Sequence, residues 1–397
     1  MVYCLMMVIM VGFYVLLVFT AAYCLLMLHF AWGLYSLRSA GKAAEAGKSM
    51  GFSEKPVRVS VIIPVRNEVH TIDSLLEQMV AQDYPPEAVE FLVSDDFSED
   101  ATCERVMQWV QRSSEKGIRL VRPCDAREEM PGKKAAIARA VAEATGDLLL
   151  FTDADTHRGP HWITTMAGAW KESKGEMVLG PVMFSGEKNL LQKIQTLEFL
   201  GIMGVTAGAV ASGKPVMCNG ANLACTRRAF VATGGYYGNE QFRSGDDQFL
   251  MLKVKNKYSA RAIHFCYDPY ALVSTEPVRT LAAFAHQRLR WISKGKGYRD
   301  PFTLFTALET YLTQLLLLTF LIAGLWVHGL LPWCGALWLI KILVDYLLVA
   351  RMAGFCKKTG LEHHYFLAQL FQLFYVPLSG LLVWLLPFKW KGRTGRQ

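Results

Sequence analysis

Charge is missing from three long stretches of this 397-residue chain. No Asp, Glu, Lys or Arg occurs in residues 1–37, 312–340 or 363–388. A helix needs about 20 apolar residues to cross a bilayer, so a purely soluble enzyme is excluded. Only 19% of all residues are charged, against roughly 25% in ordinary globular chains, and the shortfall lies at the two ends. The middle, about residues 42–301, is an ordinary mixed sequence, long enough for one large domain or two small ones. A pure channel or transporter does not fit, because most of the chain would lie outside the bilayer.

Other absences narrow the class further. The nine cysteines are scattered and form no C-x-x-C pair; with the odd count, this argues against a disulfide framework or a zinc site and fits a reducing, cytosolic middle region. The first apolar run has no basic n-region, exceeds the usual h-region and is followed by no A-x-A-like site, so a retained transmembrane helix over residues 5–31 is expected. No long basic run accompanies the net charge of +8, which reads as attraction to a membrane surface and not to nucleic acid. No internal repeat is visible. Gly132-Lys133-Lys134 lacks the upstream glycine of a P-loop.

What is present is an alternation of strand and helix patterns. Apolar strands are predicted over residues 57–65, 90–94, 119–122 and 147–152. Helices are predicted over 71–80, 101–112, 133–144 and 160–170. Such alternation implies a parallel, doubly wound sheet, whose ligands bind beyond the carboxyl ends of the strands. Residues 187–280 are glycine-rich and read as loops and short helices, with one apolar helix over 190–210. Residues 279–299 hold six basic residues, no acidic one and an apolar component, the pattern of a helix lying on an anionic membrane face. Three spans follow, over 303–327, 331–350 and 365–387.

Four short motifs carry candidate chemistry. Asp153-Ala-Asp155 ends an apolar strand, where two carboxylates one residue apart suit one hard divalent cation such as Mg2+ or Mn2+; the competing reading is a turn or helix N-cap. Asp95-Asp96 follows another strand, where a carboxylate can accept hydrogen bonds from a nucleobase or ribose; its competitor is a turn with local Asx bonds. Gly245-Asp246-Asp247 precedes a helical run; a carboxylate there can take a proton from a hydroxyl, or simply cap the helix. In Gln287-Arg-Leu-Arg-Trp291, Arg290 suits phosphate oxygens and Trp291 suits a sugar ring, while the bland reading is a basic interface helix.

The order of these motifs resembles the family 2 glycosyltransferases of GT-A fold, and within them the membrane-integrated branch that includes cellulose, chitin and hyaluronan synthases. The resemblance runs from about residue 57 to 291. It implies an α/β nucleotide-diphospho-sugar transferase domain flanked by transmembrane helices. It also implies roles. Pro64, Arg66, Asn67 and Glu68 belong to the first strand and loop, which contacts the nucleotide. Asp95 and Asp96 match the nucleotide-binding acidic motif, and Lys134 matches a lysine that approaches the nucleotide-sugar. Asp153 and Asp155 match the D-x-D that holds a divalent metal on the diphosphate, with Asp155 the favoured direct ligand. Asp247 matches the general base and Asp246 its acidic neighbour. Gln287, Arg290 and Trp291 match the Q-x-x-R-W motif near the acceptor and diphosphate. Gly-Asp-Asp departs from the usual pattern, in which a Glu begins the pair, and the membrane part is small.

The expected organisation is an N-terminal transmembrane helix (1–37), a linker (38–56), a cytosolic catalytic domain (57–278), an amphipathic interface helix (279–300), about three transmembrane helices (301–388) and a basic tail (389–397). The expected activity is inverting transfer from a nucleotide-sugar, a UDP-sugar by preference, to a polysaccharide or lipid hydroxyl at the inner face of the plasma membrane. Synthesis of a glycolipid by single transfer, a transporter and an inactive scaffold stand as alternatives. Four full spans place the basic tail outside, against the positive-inside rule. The 331–350 span, with Lys341 and Asp345, is the weakest of them.

Overall fold

The computed structural model describes residues 2–37, 55–113, 116–123, 132–239, 242, 245–383, 388–390 and 393–395. Arg38, Lys42 and Lys48, the basic residues of the expected linker, lie outside them. In chain order the elements are α1 (Val2–Ser36), β1 (Val59–Val65), α2 (Ile72–Val80), β2 (Val89–Asp95), α3 (Thr102–Arg112), β3 (Ile118–Val121), α4 (Lys133–Glu143) and β4 (Leu148–Phe151). Then come β5 (Thr156–Arg158), α5 (Trp162–Ser173), β6 (Met177–Leu179), β7 (Val182–Phe184), α6 (Leu190–Ala211), β8 (Leu223–Thr226), α7 (Arg227–Ala232) and α8 (Asp246–Tyr258). The rest are β9 (Ile263–Phe265), β10 (Val273–Thr275), α9 (Leu281–Ser293), α10 (Pro301–Ala323), α11 (Leu331–Phe355), α12 (Tyr365–Leu382), β11 (Phe388–Trp390) and β12 (Arg393–Gly395). They group into two compact units: Leu37–Ser185 with Met217–Glu276, and Met1–Ser36 with Gly186–Val216 and Pro277–Gln397.

The first unit is built on a seven-stranded sheet of order β3-β2-β1-β4-β8-β6-β9. β1, β2 and β4 are buried almost throughout, as strands covered on both faces must be. α2 turns Ile72, Leu75, Leu76 and Met79 inward, the i, i+3, i+4, i+7 stripe of an amphipathic helix. β1 pairs in parallel with β2 and β4, but its register with β4 stops at Ile62. Thr152 N–H donates to Ile62 O, so the edge of Pro64, two residues on, faces the same side. Proline lacks a donor, and here that side has no further ladder to complete. Pro64 thus stands where β1 and β4 part.

The predicted parallel sheet is only half of what forms. β8 runs antiparallel to both β4 and β6, and β5-β10-β7 make a second, mixed sheet. Strands β5 to β10 are three or four residues each. That is too short for a periodic signal, so the 187–280 stretch read as loops.

The second unit is helical. It contains the predicted spans as α1, α10, α11 and α12, and also α6. Among the described residues, five of its helices are long and apolar enough to cross a membrane. α6 differs from the rest in its connectivity: β7 precedes it and β8 follows it, both in the first unit. It meets α1 at glycines; a Cβ on Gly208 would sit 2.0 Å from Phe30 O. Lys341 and Asp345 of α11 are buried and pair at 2.8 Å. Lys341 also donates to Gln369 (2.9 Å), and Tyr23 donates to Asp345 (2.9 Å). The charges that made this span look weak are therefore turned inward and matched, as charges in an apolar setting must be.

Candidate active site

The carboxyl ends of β1, β2 and β4 lie along one edge of the sheet, because the three strands are parallel. At this edge, residues 65–69 and 95–102 are laced together. Asp96 N–H donates to Val65 O and Arg66 Nη1 to Asp96 O (2.7 Å). Glu68 N–H donates to Thr102 Oγ1 (2.8 Å), and Asn67 Oδ1 accepts from Glu99 N–H (2.8 Å). Asn67 takes a left-handed φ of 53°, tolerable for asparagine. Asp95 and Asp96 are both buried. Asp95 closes a turn by accepting Ser98 N–H at 3.2 Å on each oxygen, the local bonding that competed with a ligand role.

Asp153 and Asp155 follow β4 at the same edge. Thr152 Oγ1 donates to Ala221 O (3.0 Å), tying this segment to the loop that carries Gly220. Gly220 N–H in turn donates to Asp247 Oδ2 (2.8 Å). Asp246 and Asp247 begin α8 directly after Gly245, which caps the helix with a φ of 87° that glycine alone adopts easily. Neither aspartate is the N-cap; both lie in the first turn, where helix N–H groups favour negative charge.

Lys133 joins these acids. Its Nζ bonds Asp153 Oδ1 at 2.6 Å. Burial alone would lower its pKa; Asp153, then Asp246 and Asp247, overturn that and hold it above the ordinary range. Lys134, the lysine expected to face the nucleotide-sugar, follows Lys133 on α4. It is buried, and its Nζ donates to Asn239 O and Phe242 O, each at 2.5 Å. The helical phase explains this burial. Lys134, Ile137 and Val141 share the buried face of α4, so the Lys134 stem is drawn inward.

Arg158, on β5 behind the two aspartates, carries no role from the sequence. It is buried, stacks its guanidinium 5.3 Å from the Trp162 ring, and leaves Nε and Nη1 without hydrogen-bond partners among the described residues. Burial pulls its pKa down to about 9 against the opposing fields of Asp153 and Asp155, leaving it protonated at neutral pH. Nothing in the sequence pattern marks it, since one basic residue on a three-residue strand has no periodicity.

The structure thus gathers Asp153, Asp246 and Asp247 around Lys133, with Asp95, Asp96 and Asp155 on the same edge. Gln287, Arg290 and Trp291 lie on α9, in the helical unit. Asp153 and Asp155 offer only carboxylate oxygens, the donors a hard Mg2+ or Mn2+ takes. Among the described residues no group of three His, Cys, Asp or Glu could hold a metal, so phosphate and water would complete the shell.

A model of the family described as "Glycosyltransferase like family 2" matches residues 56–294. A probable glycosyltransferase of Bacillus subtilis (strain 168), YdaM, is 26% identical over 244 residues, 61% of this chain and 56% of that protein. An N-acetylglucosaminyltransferase of Rhizobium meliloti (strain 1021) is 26% identical over 288 residues, 67% of this chain and 65% of that protein. The chain therefore spans less than two thirds of the length of these curated relatives. Among solved structures, the mannosyltransferase PcManGT from Pyrobaculum calidifontis, in complex with GDP-Man and Mn2+, matches with a TM-score of 0.51 at 21% identity, covering 91% of this chain and 98% of that one. That likeness shows the fold, which is GT-A. Because the family model covers more than half of the chain, the protein belongs to the glycosyltransferase-like family 2.

Proposed function

We propose that the protein is a membrane-bound, inverting glycosyltransferase. It moves a sugar from a nucleotide-diphosphate sugar to a hydroxyl of a polysaccharide or a lipid, on the cytoplasmic side of the inner membrane. The observation that carries this is the gathering of Asp153, Asp246 and Asp247 around Lys133 on the sheet edge that also holds Asp95 and Asp96. Residues 57–278 supply the catalytic domain. Pro64, Arg66, Asn67, Glu68, Asp95 and Asp96 receive the nucleotide; Gln287, Arg290 and Trp291 serve the acceptor and the diphosphate. Five helices of spanning length support the membrane setting.

Asp153 and Asp155 would hold a divalent cation, which neutralises diphosphate charge when bound. Asp247 takes the proton of the acceptor hydroxyl as that oxygen attacks the anomeric carbon in line. Gly220 N–H fixes one of its oxygens and Gln248 N–H the other, each at 2.8 Å, so the carboxylate is aimed before the acceptor arrives. A single displacement inverts the anomeric centre.

UDP-N-acetylglucosamine and GDP-mannose are the first donors to test, since one relative is an N-acetylglucosaminyltransferase and one neighbour holds GDP-Man. Asp247→Asn is expected to lower transfer by about 10²–10⁴-fold while nucleotide binding persists. Full transfer by that variant would overturn the assignment of the base.

A further inference from the structure

α9 carries Gln287, Arg290 and Trp291, to which the glycosyltransferase reading gives roles. It gives none to Arg288. Arg288 is 3% exposed and lies between two rings, 4.3 Å from the centroid of Trp291 and 4.4 Å from that of Phe284. Its Nη1 donates to Gln287 Oε1 at 2.8 Å. Its Nη2 donates to Glu198 Oε2 on α6 at 2.5 Å. Glu198 Oε1 accepts the hydroxyl of Tyr375 on α12. Trp291 also meets Phe199, with ring centroids 6.2 Å apart.

One guanidinium therefore touches two of the three motif side chains and is itself anchored from two other helices. Only a planar, forked cation can stack on an indole and donate along two edges at once; lysine has no face to stack. Burial alone would pull the pKa of Arg288 down, yet Glu198 more than offsets this and the group is held above its ordinary value. A buried ion pair of this kind also glues helices together, and glue alone has no bearing on the orientation of Gln287.

We propose that Arg288, held by Glu198 and Tyr375, is a positioning residue that fixes the orientations of Gln287 and Trp291 for the sugar acceptor. The proposal rests on the glycosyltransferase reading, in which α9 meets the acceptor.

The test uses the full chain in lipid nanodiscs, with UDP-N-acetylglucosamine as donor and an N-acetylglucosamine tetramer as acceptor probe. Arg288→Met and Arg288→Lys are expected to raise the acceptor KM about tenfold or more while the donor KM stays within about twofold. Tyr375→Phe, which removes one hydroxyl and keeps the ring, is expected to raise it about two- to fivefold. A second readout needs no turnover. The 10 tryptophans are labelled with 5-fluorotryptophan, and the Trp291 fluorine resonance is assigned by its loss in Trp291→Phe. It should shift or broaden in the Arg288 and Tyr375 variants.

An unmoved Trp291 resonance in folded Arg288→Lys and Tyr375→Phe would overturn the proposal. So would an unchanged acceptor KM in those proteins. Should the Arg288 variants fail to fold, Tyr375→Phe decides alone by the same two measurements. Should wild type turn over no donor, the glycosyltransferase reading fails, and the fluorine spectrum still decides whether Arg288 orients Trp291.

Discussion

The two edges of the seven-stranded sheet use charge in opposite ways. At the amino edge the acids stand in direct salt bridges, with Arg119 serving both Glu90 and Glu143. Glu90 pairs with Arg119 at 3.2 Å, Asp147 with Arg58 at 3.3 Å, and Glu176 with Arg228. At the carboxyl edge Lys133 bonds Asp153 at 2.6 Å and stands in the field of Asp246 and Asp247, and Asp95, Asp96 and Asp155 lie along the same edge. Matched pairs lower the energy of the fold and ask nothing of a ligand. Crowded carboxylates cost stability and make sense where cations and diphosphate are handled. The contrast supports placing the proposed site on the carboxyl edge.

Removing Lys133 breaks that contrast most sharply. Lys133→Met is expected to lower transfer about 10–100-fold, the worth of one charge-assisted hydrogen bond of roughly 1.5–3 kcal/mol. Arg119→Met, the same change at the amino edge, is expected to leave transfer unchanged and to cost at most about 1 kcal/mol of stability, because Arg119 is half exposed. Steady-state kinetics and chemical unfolding of both variants check the pair. Equal effects on transfer would erase the distinction between the edges.

Lys134 sharpens the comparison from the other side. It neighbours Lys133, and its Nζ bonds the backbone carbonyls of Asn239 and Phe242. Lys134→Met leaves two carbonyls without this donor and is expected to cost about 1–3 kcal/mol of stability. Its transfer defect should shrink when activity is measured well below the unfolding transition. The Lys133→Met defect should not. A thermal melt followed by rates at several temperatures separates the two.

The residues show why parts of this were legible and others were not. β1, β2 and β4 are unbroken apolar runs ending in acids, so their pattern alone predicts a layered α/β unit with ligands beyond the strand ends. β8 and β6 insert antiparallel with three or four residues each, and nothing periodic betrays them. α6 is as apolar as a span, and only its connectivity, from β7 to β8, sets it apart. In the 18-residue window that marks it as apolar enough to span, 72% of α6 is buried in the protein, against 28% for α1. The acidic pairs are readable as strand-end and helix-start residues. Which of two adjacent lysines meets them is not, because that depends on the phase of α4. Arg288 lies inside the Gln287–Trp291 motif, but its contact with Glu198, and through it with Tyr375, is not legible because both are distant in sequence.

The smallest expected effect tests the amino edge on its own terms. Glu90 Oε1 accepts from Ser60 Oγ (2.6 Å), Thr145 N–H (2.6 Å) and Thr145 Oγ1 (2.9 Å). Burial would raise its pKa, but these bonds, led by Ser60, and then Arg119 prevail and hold it below the ordinary value of 4.5. A carboxylate with a lowered folded pKa binds protons less readily than in the unfolded chain. Its contribution is therefore complete above pH 4.5 and is lost as pH falls through the lowered folded value. Glu90→Gln keeps the shape and one acceptor but not the charge. It is expected to cost about 1 kcal/mol at pH 7, and the gap to wild type should narrow as pH drops below 4.5. Transfer at pH 7 should be unchanged. Urea unfolding of both proteins across that range measures the gap. A gap that stays constant with pH would mean that Glu90 acts by shape alone, and that matched charge is not what stabilises this edge.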